Sequence, residues 1–89
     1  MRWFQKRKWK YEPGQDPIRD KAVERLSMLT TDEILTQYDG SYGALGMHMH
    51  AAVRRKDVNQ FDEAMKHLSI MQAVVDVLKR RLEEAKKNS

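Results

Sequence analysis

Three histidines, His48, His50 and His67, are the side chains best suited to hold a metal ion or move a proton. His48 and His50 are two residues apart, which on a helix turns them about 200° away from each other. His67 has Glu63 one turn before it but no second ligand nearby. No His-Glu-x-x-His run is present, and with no cysteine in the chain there is neither a Cys/His metal spacing nor a disulfide. The histidines therefore read as solvated or packed, and no metal or other cofactor is expected. Nucleophilic and phosphate chemistry fare no better. There is no glycine-rich loop after a strand, no strand-like alternation and no nucleophile–base pair. A chain of 89 residues has little room for a sizeable cleft. The expectation is a protein that is not an enzyme and takes no small-molecule substrate.

A different chemistry is concentrated at the N-terminus, MRWFQKRKWKYEPGQ. Arg2, Lys6, Arg7, Lys8 and Lys10 stand there against one acid, Glu12, while residues 16–89 hold twelve basic and twelve acidic side chains. The net charge of +4 thus belongs to this arm. Cations contact phosphates, and Trp3 and Trp9 have faces on which bases stack. The same composition suits an anionic membrane surface, with tryptophan at headgroup level. It also suits folding back, the two rings packing on the body while the lysines stay wet. Arg54-Arg55-Lys56 would add a second basic cluster for an anionic partner.

The elements that must position these groups are helices. Pro13-Gly14 ends the arm. Asp16-Pro17 is an N-cap followed by a first-turn proline, and Ile18, Ala22, Val23, Leu26 and Leu29 give an apolar face, so the pattern predicts a short helix over about 17–29. Thr30 with Glu33 forms a capping box, and Leu29 with Ile34 a hydrophobic staple, which start a second helix after a sharp change of direction. Leu35, Tyr38, Tyr42, Leu45, Met49 and Ala52 alternate by three and four straight through Gly40, Gly43 and Gly46. That register favours one helix over 31–55. The alternative is a turn at Asp39-Gly40-Ser41, with Ser41 capping a separate helix.

A third helix is expected over about 58–86, capped by Asp57 or Asn59. Phe61, Ala64, Leu68, Met71, Val75, Leu78, Leu82 and Ala85 form its heptad seam, and Ile70, Val74 and Val77 widen the stripe. The methionines Met47, Met49, Met65 and Met71 read as core. Short connections make the second and third helices antiparallel neighbours, each roughly 40 Å long, with Lys79-Arg80-Arg81 beside Asp32-Glu33. Tyr42-x-x-Leu45-Gly46 and Ala64-x-x-x-Leu68-x-x-Met71 resemble parts of a tetratricopeptide helix pair, but their separation is too long and nothing repeats, so no repeat array is implied.

The sequence predicts an all-α fold: a basic aromatic arm over 1–15, then a helical bundle over 16–89. The bundle is a long antiparallel hairpin with a shorter N-terminal helix packed on it. The expected function is a small helical interaction protein, an adaptor or assembly component that binds partner helices or itself. Ile70, Val74 and Val77, a surplus of apolar surface, and Gly43 and Gly46, which permit close backbone approach, form the expected partner surface. A nucleic-acid-binding accessory protein is the alternative, through Arg2, Trp3, Lys6, Arg7, Lys8, Trp9, Lys10, Arg54, Arg55 and Lys56. Peripheral membrane attachment through the arm is a second. The missing cysteines, the lack of an apolar segment behind the basic N-terminus and the lack of an apolar run of roughly 18 residues point to a cytoplasmic protein.

Overall fold

A computed structural model describes residues 15–87. They form three helices: α1 (Pro17–Leu26), α2 (Thr31–Arg55) and α3 (Asn59–Lys87). The long helices α2 and α3 make an antiparallel hairpin, and α1 lies on α3. No described helix is long and apolar enough to cross a membrane.

Local chemistry accounts for each boundary. Asp16 caps α1 by accepting the Ile18 and Arg19 N–H groups at 3.1 and 3.2 Å. The helix ends at Leu26, three residues before the end expected from the apolar pattern. Ser27 Oγ donates to the Val23 carbonyl, and the Met28 and Leu29 N–H groups bond back three residues, tightening the chain into a turn. That turn places Leu29 before the α2 cap, where it packs on the core beside the fully buried Ile34. The capping box is complete: Glu33 N–H donates to Thr30 Oγ1 at 3.2 Å, and Thr30 N–H to Glu33 Oε1 at 2.8 Å.

Helix α2 runs unbroken through Gly40, Gly43 and Gly46, which removes the alternative of a turn at Asp39-Gly40-Ser41. It ends at Lys56, whose φ of 53° and ψ of 43° are left-handed. Glycine is the residue usually found in this conformation at a helix end. Asp57 Oδ1 then accepts the Asn59 N–H at 3.0 Å to open α3.

The core corrects the expected seam. Ala22, Val23 and Leu26 of α1, Ile34 of α2 and Ala73, Val74 and Val77 of α3 form the buried cluster, with Ile70 and Leu78 packed against it. Val74 and Val77, expected to face a partner, are covered by α1. Phe61, Val75, Leu82 and Ala85, expected at the seam, are exposed. So are Met47, Met49 and Met65, which read as core in the sequence, whereas Met71 is half-buried. The heptad row is split: Ala64 is buried, Leu78 packs on the core and Leu68 and Met71 are half-buried, while its other four members face solvent.

Polar contacts fix α1 on α3. Arg19 donates from Nε and Nη2 to both carboxylate oxygens of Asp76, at 2.7 and 2.8 Å. Ser69 Oγ donates to Asp16 Oδ2 at 2.6 Å. Arg81 bonds the Leu29 carbonyl at 2.6 Å, the Ser27 carbonyl at 3.3 Å and Thr31 Oγ1 at 3.2 Å. The expected proximity of this basic run to the start of α2 is present, but Arg81 serves the connecting turn's carbonyls.

Candidate partner-binding face

The hairpin interface is lined on α2 by Ile34, Ser41, His48 and Ala52 and on α3 by Gln60, Ala64, His67 and Val74. The residue that follows an interface residue is turned by about 100° around its helix. On α2 these followers are Leu35, Tyr42, Met49 and Val53, all exposed. On α3 they are Phe61, Met65 and Val75, also exposed, and the half-buried Leu68. Leu82, exposed, continues the α3 row by following Arg81, which reaches Thr31 of α2.

Because the helices are antiparallel, the same turn in the same sense brings both rows to one side of the hairpin. Helix α1 sits on the other side, over Ala73 and Val77, the first of which precedes an interface residue. The two rows therefore join into one apolar strip along the open side. Tyr42 is 63% exposed, Val53 69% and Leu82 67%. By contrast, the buried apolar side chains among the described residues are four alanines, three valines, Leu26 and Ile34. Many of the larger apolar side chains are therefore exposed, and on this side they are contiguous.

The sequence-predicted partner residues divide. Gly46 follows Leu45 and lies within the open strip, between Tyr42 and Met49. A Cβ built on it meets nothing within 4 Å, so no neighbour inside the chain demands a glycine there. Gly43 likewise meets nothing and lies on the outer flank of α2, so neither glycine serves a close approach among the described residues. Ile70 and Val77 belong to the covered side, and Val74 is buried where that side meets the hairpin interface. Periodicity alone does not locate the open strip, although Phe61, Leu68, Val75 and Leu82 recur every seven residues. That regularity reads as core. The usable signal is that α3 carries two apolar stripes while, among the described residues, one short helix is available to cover either.

Of the anionic-partner residues, Arg2, Trp3, Lys6, Arg7, Lys8, Trp9 and Lys10 lie outside the described residues. Arg54, Arg55 and Lys56 are exposed at the end of α2. Arg54 and Arg55 border a shallow depression with Met47, His50 and Ala51 on the outer surface of that helix.

Two of the histidines, on different helices, come together, and the third stands apart. His48 and His67 stack with ring centroids 5.5 Å apart and planes 17° from parallel, and His48 Nδ1 is 2.8 Å from Gln60 Oε1. His67 Nδ1 is buried with no hydrogen-bond partner. His50 is exposed. Among the described residues no three His, Cys, Asp or Glu side chains converge as metal ligands would.

Two carboxylates are held below their ordinary range. The Ser69 hydroxyl does this for Asp16, outweighing the opposing effect of burial, with smaller help from the Arg19 and Ile18 N–H groups and the Arg19 charge. The Thr30 N–H, then its hydroxyl, does so for Glu33. Both are helix-start contacts, and neither adjoins the open strip. No protein-family model, curated protein or solved structure matches this chain.

Proposed function

We propose that this chain is a non-enzymatic helical interaction module, an adaptor or assembly component, whose open hairpin side takes partner helices. The observation that supports this reading is the apolar strip of Leu35, Tyr42, Met49 and Val53 on α2 with Phe61, Leu68, Val75 and Leu82 on α3. A two-helix face of this kind offers a groove between its rows into which a third helix, or a pair, lays its own apolar stripe. Hydrophobic burial there, at about 25 cal/mol per Å², is the driving force the strip can supply.

The experiment compares the full chain with the double variant Leu35→Glu/Leu82→Glu. Apolar-dye (ANS) fluorescence and sedimentation are read at low micromolar protein, with circular dichroism as a fold check. The wild type should bind the dye or associate with itself. The variant should do neither while keeping its helicity. A wild type that neither binds dye nor associates overturns the reading, because its strip is then already covered within the chain.

A further inference from the structure

The occupant of the open strip can be identified from its length, its area and the charges along it. This step rests on the reading just proposed. The strip extends along two helices of 25 and 29 residues, so it is a long face two helices wide, not a slot for a short peptide. Summed over its side chains, the exposed area of the strip is at most about 800 Å². That is the share one partner contributes to a standard stable interface of about 1,600 Å².

The charges on the strip have a definite layout. Asp32 and Asp39 lie on the α2 row, one residue after Thr31 and Tyr38. Lys79 lies on the α3 row, one residue after Leu78. The Arg81–Thr31 contact sets the level of one helix against the other. It puts Asp32 and Lys79 at nearly the same height, within about two residues or 3 Å of axial rise. One end of the face is therefore negative on α2 and positive on α3.

We infer that the partner is a second copy of this chain, related by a two-fold axis parallel to the helices. Each α2 then lies antiparallel to the partner's α3, and every helix of the resulting four-helix layer has antiparallel neighbours. Asp32 meets the partner's Lys79, and the partner's Asp32 meets Lys79, so negative and positive rows alternate around the bundle end. Gly46 falls at the level of the partner's Met65 and leaves the space that a long, adaptable side chain fills. This gives the glycine a reason that the single chain lacks. A two-fold axis across the helices would instead set α2 against α2 and leave Lys79 facing apolar residues.

Two charge-inverted full-length variants test the arrangement. In Asp32→Lys/Asp39→Lys both rows are positive, and in Lys79→Glu both are mostly negative. Each variant alone should dimerise at least tenfold more weakly than wild type by sedimentation equilibrium. An equimolar mixture should recover heterodimer, because the positive α2 row of one variant then meets the negative α3 row of the other. The loss of attraction within each hairpin is the same before and after mixing, so recovery reports only contacts between chains. Circular dichroism confirms that both variants fold. A wild type that dimerises but whose mixed variants show no recovery overturns the axial two-fold arrangement. A wild type that stays monomeric to about 100 micromolar while binding apolar dye overturns the second copy and leaves the partner-helix reading standing. A monomer that also binds no dye removes both.

Discussion

The two sides of the α2–α3 hairpin carry similar apolar rows and end in opposite conditions. On one side, Ile70, Ala73, Val74 and Val77 meet Ala22, Val23 and Leu26 of α1. On the other, Leu35, Tyr42, Met49, Val75 and Leu82 are exposed. What distinguishes them is polar fixing. The covered side has Arg19 forked onto Asp76 and Asp16 held by Ser69, so α1 can seat in one register only. A short helix has too little apolar area to select its site unaided, and these pairs specify which stripe it covers.

The sharpest way to break the comparison is to truncate one side at a time. Ile34→Ala or Leu26→Ala removes a fully buried side chain and should cost about 2–5 kcal/mol at any protein concentration. Val75→Ala or Leu82→Ala should change the stability of dilute protein by under about 0.5 kcal/mol. Urea melts at two concentrations separate the two. An equal loss for both classes at high dilution would mean that the open strip is packed within the chain.

A smaller effect is expected from the polar fixing. Asp76→Ala removes the forked carboxylate that Arg19 Nε and Nη2 hold and should cost about 1–3 kcal/mol. Breaking a fully buried pair costs more, but the Arg19 side chain keeps 20% of its exposure and is partly screened. Hydrogen exchange should show α1 amides losing protection while α2 and α3 keep theirs. A uniform loss would mean that the three helices open as one unit.

The smallest effect is on acid sensitivity. Asp16 and Glu33 have folded-state pKa values below their unfolded ones, so the folded chain binds fewer protons. Their contribution is present above the ordinary carboxylate range near 4 and is lost as the pH falls through it toward the lowered folded values. Asp16→Asn keeps an N-cap side chain but removes one of the two titrations, so the slope of stability against pH below about 4 should become shallower. Val75→Ala should leave that slope unchanged. Thermal melts between pH 2 and 7 measure both.

Much of the fold is legible because it is encoded locally. Thr30, Glu33, Leu29 and Ile34 announce a helix start by themselves, and the register through Gly40, Gly43 and Gly46 marks α2 as continuous. The facing of α3 is not legible. Leu68-Val75-Leu82 and Ile70-Val74-Val77 are both competent apolar stripes, and periodicity cannot say which one a neighbouring helix chooses. That choice is made by Asp16–Ser69 and Arg19–Asp76, contacts 53 and 57 residues apart in sequence. The open strip is not marked by sequence pattern for the same reason, since exposing one stripe follows from covering the other.

The way α1 is attached gives the molecule a direction of mechanical weakness. Its C-terminal end is pinned through the turn that Arg81 grips, while its N-terminal end sits at Ser69, partway along α3. Tension applied through the N-terminus therefore loads Asp16–Ser69 first and Arg19–Asp76 next, then the alanine and valine contacts in order. When the pull is directed away from α3, contacts loaded in series peel one at a time. Such a pull lifts α1 before it disturbs α2 or α3, and in lifting it uncovers Ala73, Val74 and Val77. The rod would then be apolar on two opposite sides.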